Sequence, residues 1–336
     1  MFVDASEDIG GVGKSIEIIG SEGHQLVSGL HTIAVRFNKA VLADGFKAYL
    51  QFCPRFRDHL RRLAAGTKVY ATNRVHIATA ELRVPSLPEQ RAIAAVLMDV
   101  DVLIGSLEAL IAKKRAIKRA AMQQLLTGRT RLPGFDGEWG TMRLGECVQI
   151  RGDRVSSSKA SGDTLCVELE DIEQATGRLI RRGLASSVSA KYSFETGDVL
   201  FGRLRPYLRK WWHADRPGVC STEIWPLTSD PLKADSRFIY WLIRADTLYE
   251  AAQVSYGTHM PRADWKVVSE VPVPRPPIPE QRAIAAVLTD MDAEVEKLER
   301  RLAKTRAVKQ GMMQQLLTGS IRLPIPDAIA ESGPVQ

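Results

Sequence analysis

Long apolar runs are missing from this sequence: charged residues interrupt every stretch well short of the roughly 20 apolar residues that a membrane-spanning helix needs. The amino terminus, MFVDASEDIGG, carries acids where a secretory signal would carry basic and then apolar residues. Both absences point to a soluble chain with no membrane partner and a cytoplasmic location. Cysteine is scarce. Cys53, Cys147, Cys166 and Cys220 are far apart, with no CxxC and no nearby histidine pair, which excludes a zinc site or a disulfide framework and leaves buried thiols. Aromatic residues make up only 7%, but 45% hydrophobic content over 336 residues is enough to bury the cores of two or three domains.

Recognisable catalytic constellations are missing as well. Gly10–Ser15, GGVGKS, has the look of a phosphate loop, but the full motif needs a glycine five residues before Gly13, where Asp8 stands. It also precedes SIEII, which reads as a strand, whereas a phosphate loop opens a helix. There is no NPPY-like or DPPY-like tetrad with a glycine-rich cofactor loop, as an adenine methyltransferase would show, and no nuclease core of the Asp…Glu-x-Lys type. His24, His31, His59 and His76 lack metal-ligand spacing. The expectation is a chain that is not an enzyme and holds no metal.

What is present is basic charge and repetition. The net charge is +7, which favours anionic partners, and its distribution is uneven. Seven basic residues and no acid lie between Ala109 and Phe135, and Arg203, Arg205, Arg209 and Lys210 cluster with Tyr207, Trp211 and Trp212. LPEQRAIAAVL…MQQLLTGRTRLP, from Leu87, returns as IPEQRAIAAVL…MQQLLTGSIRLP, from Ile278, at an offset of 191 residues. Of the 47 paired positions, 29 are identical without a gap, which establishes a duplication. The offset continues weakly upstream, where Tyr49 pairs with Tyr240 and Gly66-Thr67 with Gly257-Thr258. A unit this long holds a globular domain followed by a helix.

Each repeated segment predicts a long helix. Pro88 and Pro279 suit the first turn, the following Glu-Gln suits the positive end of the dipole, and Gly128 and Gly319 supply the stop. Apolar residues recur at steps of four and three: Ile93, Leu97, Val100, Ile104, Leu107 and Ile111 in one copy, Ile284, Leu288, Met291, Val295, Leu298 and Leu302 in the other. That is a heptad seam about 60 Å long at 1.5 Å per residue. Each seam needs a partner, and an antiparallel pairing of the two copies makes them equivalent. Two further helices are predicted: RFIYWLIRADTLYEAAQ from Arg237, and FKAYLQFCPRFRDHLRRL from Phe46 with Pro54 interrupting it. Strand-like stretches such as TLCVEL and GDVLFGRL complete a mixed domain. The fold class is α+β: two mixed α/β domains separated by two long helices in an antiparallel intramolecular coiled coil. The domains are 1–86 (a partial first domain), 87–135 (first long helix), 136–277 (second mixed domain), 278–326 (second long helix) and 327–336 (a flexible tail). Extending the offset pairs Met1 with Tyr192, so the first domain is expected to lack counterparts of Trp139 to Lys191.

PEQRAIAAVL opening a long helix that ends in MQQLLTG and RLP, twice, each time after a variable domain, resembles the specificity subunits of type I restriction-modification systems. The resemblance runs from about Gly29 to Pro324 and includes WGTMRLGE at Trp139 and GDVLFGRLRP at Gly197. It implies two target-recognition domains that each read half of a bipartite sequence in double-stranded DNA. It also implies paired helices that set the gap and dock methyltransferase (modification) subunits, with translocase-nuclease (restriction) subunits in the complex. S-adenosylmethionine, ATP and Mg would then belong to partner subunits, with no cofactor in this chain.

The residues carry a compatible reading, since base edges call for arginines and amides, and phosphates for lysines and arginines. The DNA-binding candidates are Arg203, Arg205, Tyr207, Arg209, Lys210, Gly257, Thr258 and His259 in the second domain, and Gly66, Thr67, Lys68, Asn73 and Arg74 in the first. The candidates for docking a partner are Arg115, Lys118, Gln123, Gln124, Arg306, Lys309, Gln314 and Gln315. Two other readings stay open: a coiled-coil protein-assembly adaptor, and an inactive remnant without its own DNA specificity.

Overall fold

The computed structural model describes residues 1–324 apart from Asp4, Ser21, Glu22, His24, Thr67, 156–163, Arg182, 185–189 and 257–259. The candidates Thr67, Gly257, Thr258 and His259, and the tail 327–336, lie outside the described residues. Contacts divide the chain into two units, Met1–Ala112 with Lys297–Gln336, and Lys113–Glu296. The two repeated segments form 39-residue helices, Leu87–Leu125 and Ile278–Leu316. Each helix contributes one part to each unit.

Within each unit the helix parts run antiparallel. In the second unit Lys118 pairs with Asp292, Lys114 with Glu294, and Arg131 with Glu280, so partner numbers fall as one helix is followed forward. The first unit repeats this at the 191-residue offset: Lys309 pairs with Asp101 and Arg322 with Glu89. The predicted seam faces inward. Ile93, Leu97, Leu107, Ile111, Ile284, Leu288 and Val295 are buried, while the opposite faces carry the exposed positions. Both helices end alike, at Gly128 (φ +71°) and Gly319 (φ +74°), and the chain folds back as Thr130 N–H donates to the Gln124 carbonyl and Ile321 N–H to that of Gln315. A left-handed glycine after the last turn frees the chain to satisfy helix-end carbonyls.

Among its described residues the second unit holds two larger sheets, besides the two-stranded pairs Gly140–Arg143 with Pro272–Arg275 and Ser255–Tyr256 with Arg262–Ala263. One has strands in the order Trp211–His213, Val199–Gly202, Ile224–Ser229, Val148–Ile150, all antiparallel. The other runs Arg154–Val155, Lys191–Phe194, Gly218–Ser221, Leu165–Val167, Gly183–Leu184, with one parallel pair, Gly218–Ser221 beside Leu165–Val167. Successive side chains of a strand point to opposite faces, and here the two faces serve two cores. Leu200, Trp212 and Ile224 pack against Phe194, Val167 and Cys220 of the other sheet. Val199, Phe201, Trp211, Trp225 and Leu227 pack instead with Phe238, Trp241, Leu125, Ile284 and Leu288 of the helices. The first unit mirrors that helical contribution with Ile93, Ala94, Leu97, Leu316 and Leu317, packed on Phe2, Phe46, Leu50, Phe56 and Leu60.

Two local expectations change, and the interruption expected at Pro54 is found. The helix predicted from Arg237 is two helices, Ser236–Ile243 and Asp246–Gln253, broken at Ala245, whose backbone is extended (ψ 153°). Arg244, at the break, is held by Asp292 and by the rings of Trp241 and Tyr240. The counterpart from Phe46 breaks at the matching place into a 3-10 turn, Lys47–Phe52, and a helix, Pro54–Leu63, which Pro54 opens. SIEII forms no strand: only Ser15 makes a bridge, to Phe2, and Ile16 and Ile19 are exposed. Cys147, Cys166 and Cys220 are buried, as expected, whereas Cys53 is half-buried. Among the described residues no helix is long and apolar enough to cross a membrane, and no group of acids, histidines and cysteines is placed to hold a metal.

Candidate nucleic-acid interface

The basic cluster of the second unit lies on the loop that leaves strand Val199–Gly202. The loop turns twice through left-handed backbone, at Arg205 and Arg209 (φ +50° each), around a single 3-10 turn, Pro206–Leu208. Non-glycine residues enter this region at a cost, so the loop is held by its neighbours. Arg205 N–H donates to the Pro261 carbonyl, Arg203 N–H to that of Glu223, and Ala263 N–H to that of Arg203. These bonds seat the loop beside a short strand pair, Ser255–Tyr256 with Arg262–Ala263.

The five basic and aromatic candidates of this loop divide by orientation. Arg205 and Tyr207 are exposed. Lys210 turns inward, its ammonium donating to the Leu169 carbonyl at 2.8 Å. Arg209 lies over the Tyr249 ring at 3.7 Å and pairs with Asp246. Arg203 faces a cleft of about 510 Å³ lined with Tyr192, Trp225, Arg262, Asp264 and Trp265. Its guanidinium rests over the Trp225 ring, 5.4 Å from the centroid, and its Nε is buried with no hydrogen-bond partner among the described residues. Arg262 is held by Glu223 through two bonds, Nε to Oε2 at 2.9 Å and Nη2 to Oε1 at 2.7 Å. Those bonds, together with the charges of Arg262 and Arg203, hold the Glu223 carboxyl below its ordinary range against the opposing pull of burial, so the pair is ionic at neutral pH. Sequence reasoning missed Arg262, Glu223, Trp225 and Trp265. Arg262 and Trp265 lie some 60 residues from the cluster, and strand pairing brings them to it.

In the first unit, Asn73 caps the short helix Arg74–Ala78 by accepting from His76 N–H, as Asp264 caps Trp265–Val268 in the second. Asn73 is therefore committed to local structure, while Lys68 and Arg74 are exposed. Gly66 precedes Thr67 in extended left-handed backbone (φ +143°).

The docking candidates also divide. Lys118 and Lys309 are ion-paired across the helices, to Asp292 and Asp101, and Arg306 pairs with Glu108. They join the chain's own helices. Gln123, Gln124, Gln314 and Gln315 are exposed at equivalent places in the two copies, and Arg115 is exposed as its counterpart Arg306 is. The repeated Glu-Gln at each helix start, read from sequence only as a dipole effect, is a lock. Glu280 is fully buried and accepts from Arg131 and from Trp139 Nε1, while Gln281 bonds the backbone of Asp235, Lys233 and Pro276. Glu89 accepts from Arg322, and Gln90 bonds the backbone of Ala43, Val41 and Pro85.

A family model described as the type I restriction modification DNA specificity domain matches residues 136–305, about half of the chain. The specificity subunit of the type I restriction enzyme EcoDI of Escherichia coli is 28% identical over 198 residues, 57% of this chain and 43% of that protein, so this chain spans less than half of that relative. The specificity subunit of the enzyme MjaVIII of Methanocaldococcus jannaschii is 22% identical over 82% of this chain and 70% of its own length. Among solved structures, the S subunit of a type I restriction-modification system from M. genitalium superposes with a TM-score of 0.56 at 17% identity, covering 83% of this chain and 74% of that one.

Proposed function

Because the chain belongs to the family of the type I restriction-modification DNA specificity domain, we propose that it is a non-catalytic, sequence-specific DNA-recognition subunit whose second unit reads duplex DNA. The observation that carries this reading is the placement of the family match over the same head that presents exposed Arg205 and Tyr207 beside the Arg203 cleft. Arginine forks suit guanine edges and phosphates, and a loop braced on both sides holds them without rearrangement.

The exposed glutamines near the ends of both long helices, Gln123, Gln124, Gln314 and Gln315, are the proposed docking points for methyltransferase subunits. Their repetition in two copies suits a partner met twice. Translocase-nuclease subunits join through that complex, and S-adenosylmethionine, ATP and Mg are used there. The paired helices serve as the spacer between the half-sites of a bipartite target.

Binding of the full chain, with its methyltransferase, to a duplex carrying the target tests this reading. Affinity is expected to fall about a thousandfold or more between 50 and 200 mM salt, as several phosphate contacts require. No duplex binding at low salt would leave a protein-assembly adaptor as the better description.

A further inference from the structure

We propose that the cleft of the second unit is a guanine-reading site in which Arg203 donates to O6 and N7 of one guanine of the target. The inference rests on the DNA-recognition role above and adds the base and the residue.

Three features of the cleft lead to it. Arg203 is pinned: its backbone is bonded on both sides, to Glu223 and Ala263, and its guanidinium lies on Trp225, which is itself stacked on Phe201 at 5.7 Å and met edge-on by Trp265 at 5.6 Å. A guanidinium packed on a fixed ring loses little freedom when it binds. Among the described residues its Nε–H finds no acceptor, so no neighbour ties up the guanidinium as Glu223 does that of Arg262. The other guanidinium of the cleft is already spoken for, since Glu223 takes Nε and Nη2 of Arg262. The nearby carboxylate of Asp264 is turned to cap its own helix by accepting from Lys266 N–H. Arg203 is the donor fork left for a ligand.

Duplex DNA offers two forked acceptors to such a donor, a phosphate and the O6/N7 edge of guanine. The cleft favours guanine. Its walls bring the Asp264 carboxylate, which repels a phosphate and not a neutral base edge, and the rings of Tyr192 and Trp265, which offer a phosphate no donor. The exposed Arg205 outside the cleft is the better placed residue for backbone contact.

The methylated motif of a host expressing the full chain with its methyltransferase, compared between wild type, Arg203→Lys and Arg203→Ala, reads the assignment. In both variants one guanine of the wild-type motif is expected to become degenerate, its discrimination falling roughly ten- to a hundredfold, while every other position is kept. Lysine keeps the charge and loses the fork, so an Arg203→Lys motif with every guanine retained would overturn the proposal. So would a uniform loss over all positions with a shallower salt dependence, the mark of a phosphate contact. A second arm needs no variant and so is independent of folding: the wild-type complex is bound to duplexes in which each motif guanine in turn is 7-deazaguanine, which lacks the N7 acceptor. One such duplex is expected to bind about tenfold more weakly than the unmodified duplex, and equal binding to all of them overturns the assignment. Absence of any motif in wild type would instead sink the DNA-recognition reading itself, and the inference with it.

Discussion

Asp292 sits where burial and two cations compete. Burial alone would raise its pKa, but Arg244, only 5% exposed, and Lys118 more than offset this and hold the carboxyl below its ordinary value. A folded-state pKa depressed in this way contributes stability that is present above the ordinary carboxylate range, from about pH 4 upward, and is lost as pH falls through the lower folded value. Asp292→Asn is therefore expected to cost on the order of 3 kcal/mol at pH 7, because it leaves Arg244 buried without its counter-charge. The difference between variant and wild type should shrink as pH falls from 5 to 2. Urea unfolding at a series of pH values checks this; a pH-independent difference would place the effect in packing alone. The same residue scale explains which candidates the sequence could not sort. Lys210 and Arg209 look equivalent to Arg203 and Arg205 in the string RLRPYLRK, yet left-handed backbone at Arg209 accompanies a side chain laid on Tyr249, while Lys210 reaches the Leu169 carbonyl.

At the scale of elements, the long helices were legible because two independent signals coincided, a repeated sequence and a heptad seam, and seven of the twelve seam positions are buried and the other five half-buried. The charges flanking the seam were open to two meanings, a surface for a partner or a bond to the other helix. Only the antiparallel register separates them, by bringing Lys118 to Asp292 and Lys309 to Asp101. The break at Ala245 was hidden for a similar reason: nothing in RFIYWLIRADTLYEAAQ breaks a helix as a proline would, and the break coincides with the tertiary contacts of Arg244. The first copy kept a visible mark, Pro54. Because both units use the seam identically, Leu97→Ala and Leu288→Ala, each at a fully buried position, should each cost about 2–5 kcal/mol. Val102→Ala, at a position 64% exposed, should stay within about 0.5 kcal/mol. Denaturant midpoints of the three variants compare these directly, and a cost at Val102 equal to the others would mean that the seam has been assigned to the wrong face.

For the whole molecule, duplication explains why one set of locks occurs twice. Glu280 with Arg131 and Glu89 with Arg322 occupy positions related by the same 191-residue offset, as do Gln281 and Gln90 in their backbone bonds. The conserved copies hold the frame, and the heads have diverged: the second presents an aromatic, arginine-lined cleft on a two-sheet scaffold, and the first, among its described residues, only two-residue ladders. On the proposed function, target choice resides in the head at 136–277. Exchanging that segment for the corresponding head of a family member with a different methylation motif, and sequencing the methylome of a host that also carries the methyltransferase, tests it most directly. The half of the motif contributed by this head is expected to be replaced by the donor's half. A motif unchanged by the exchange would contradict it.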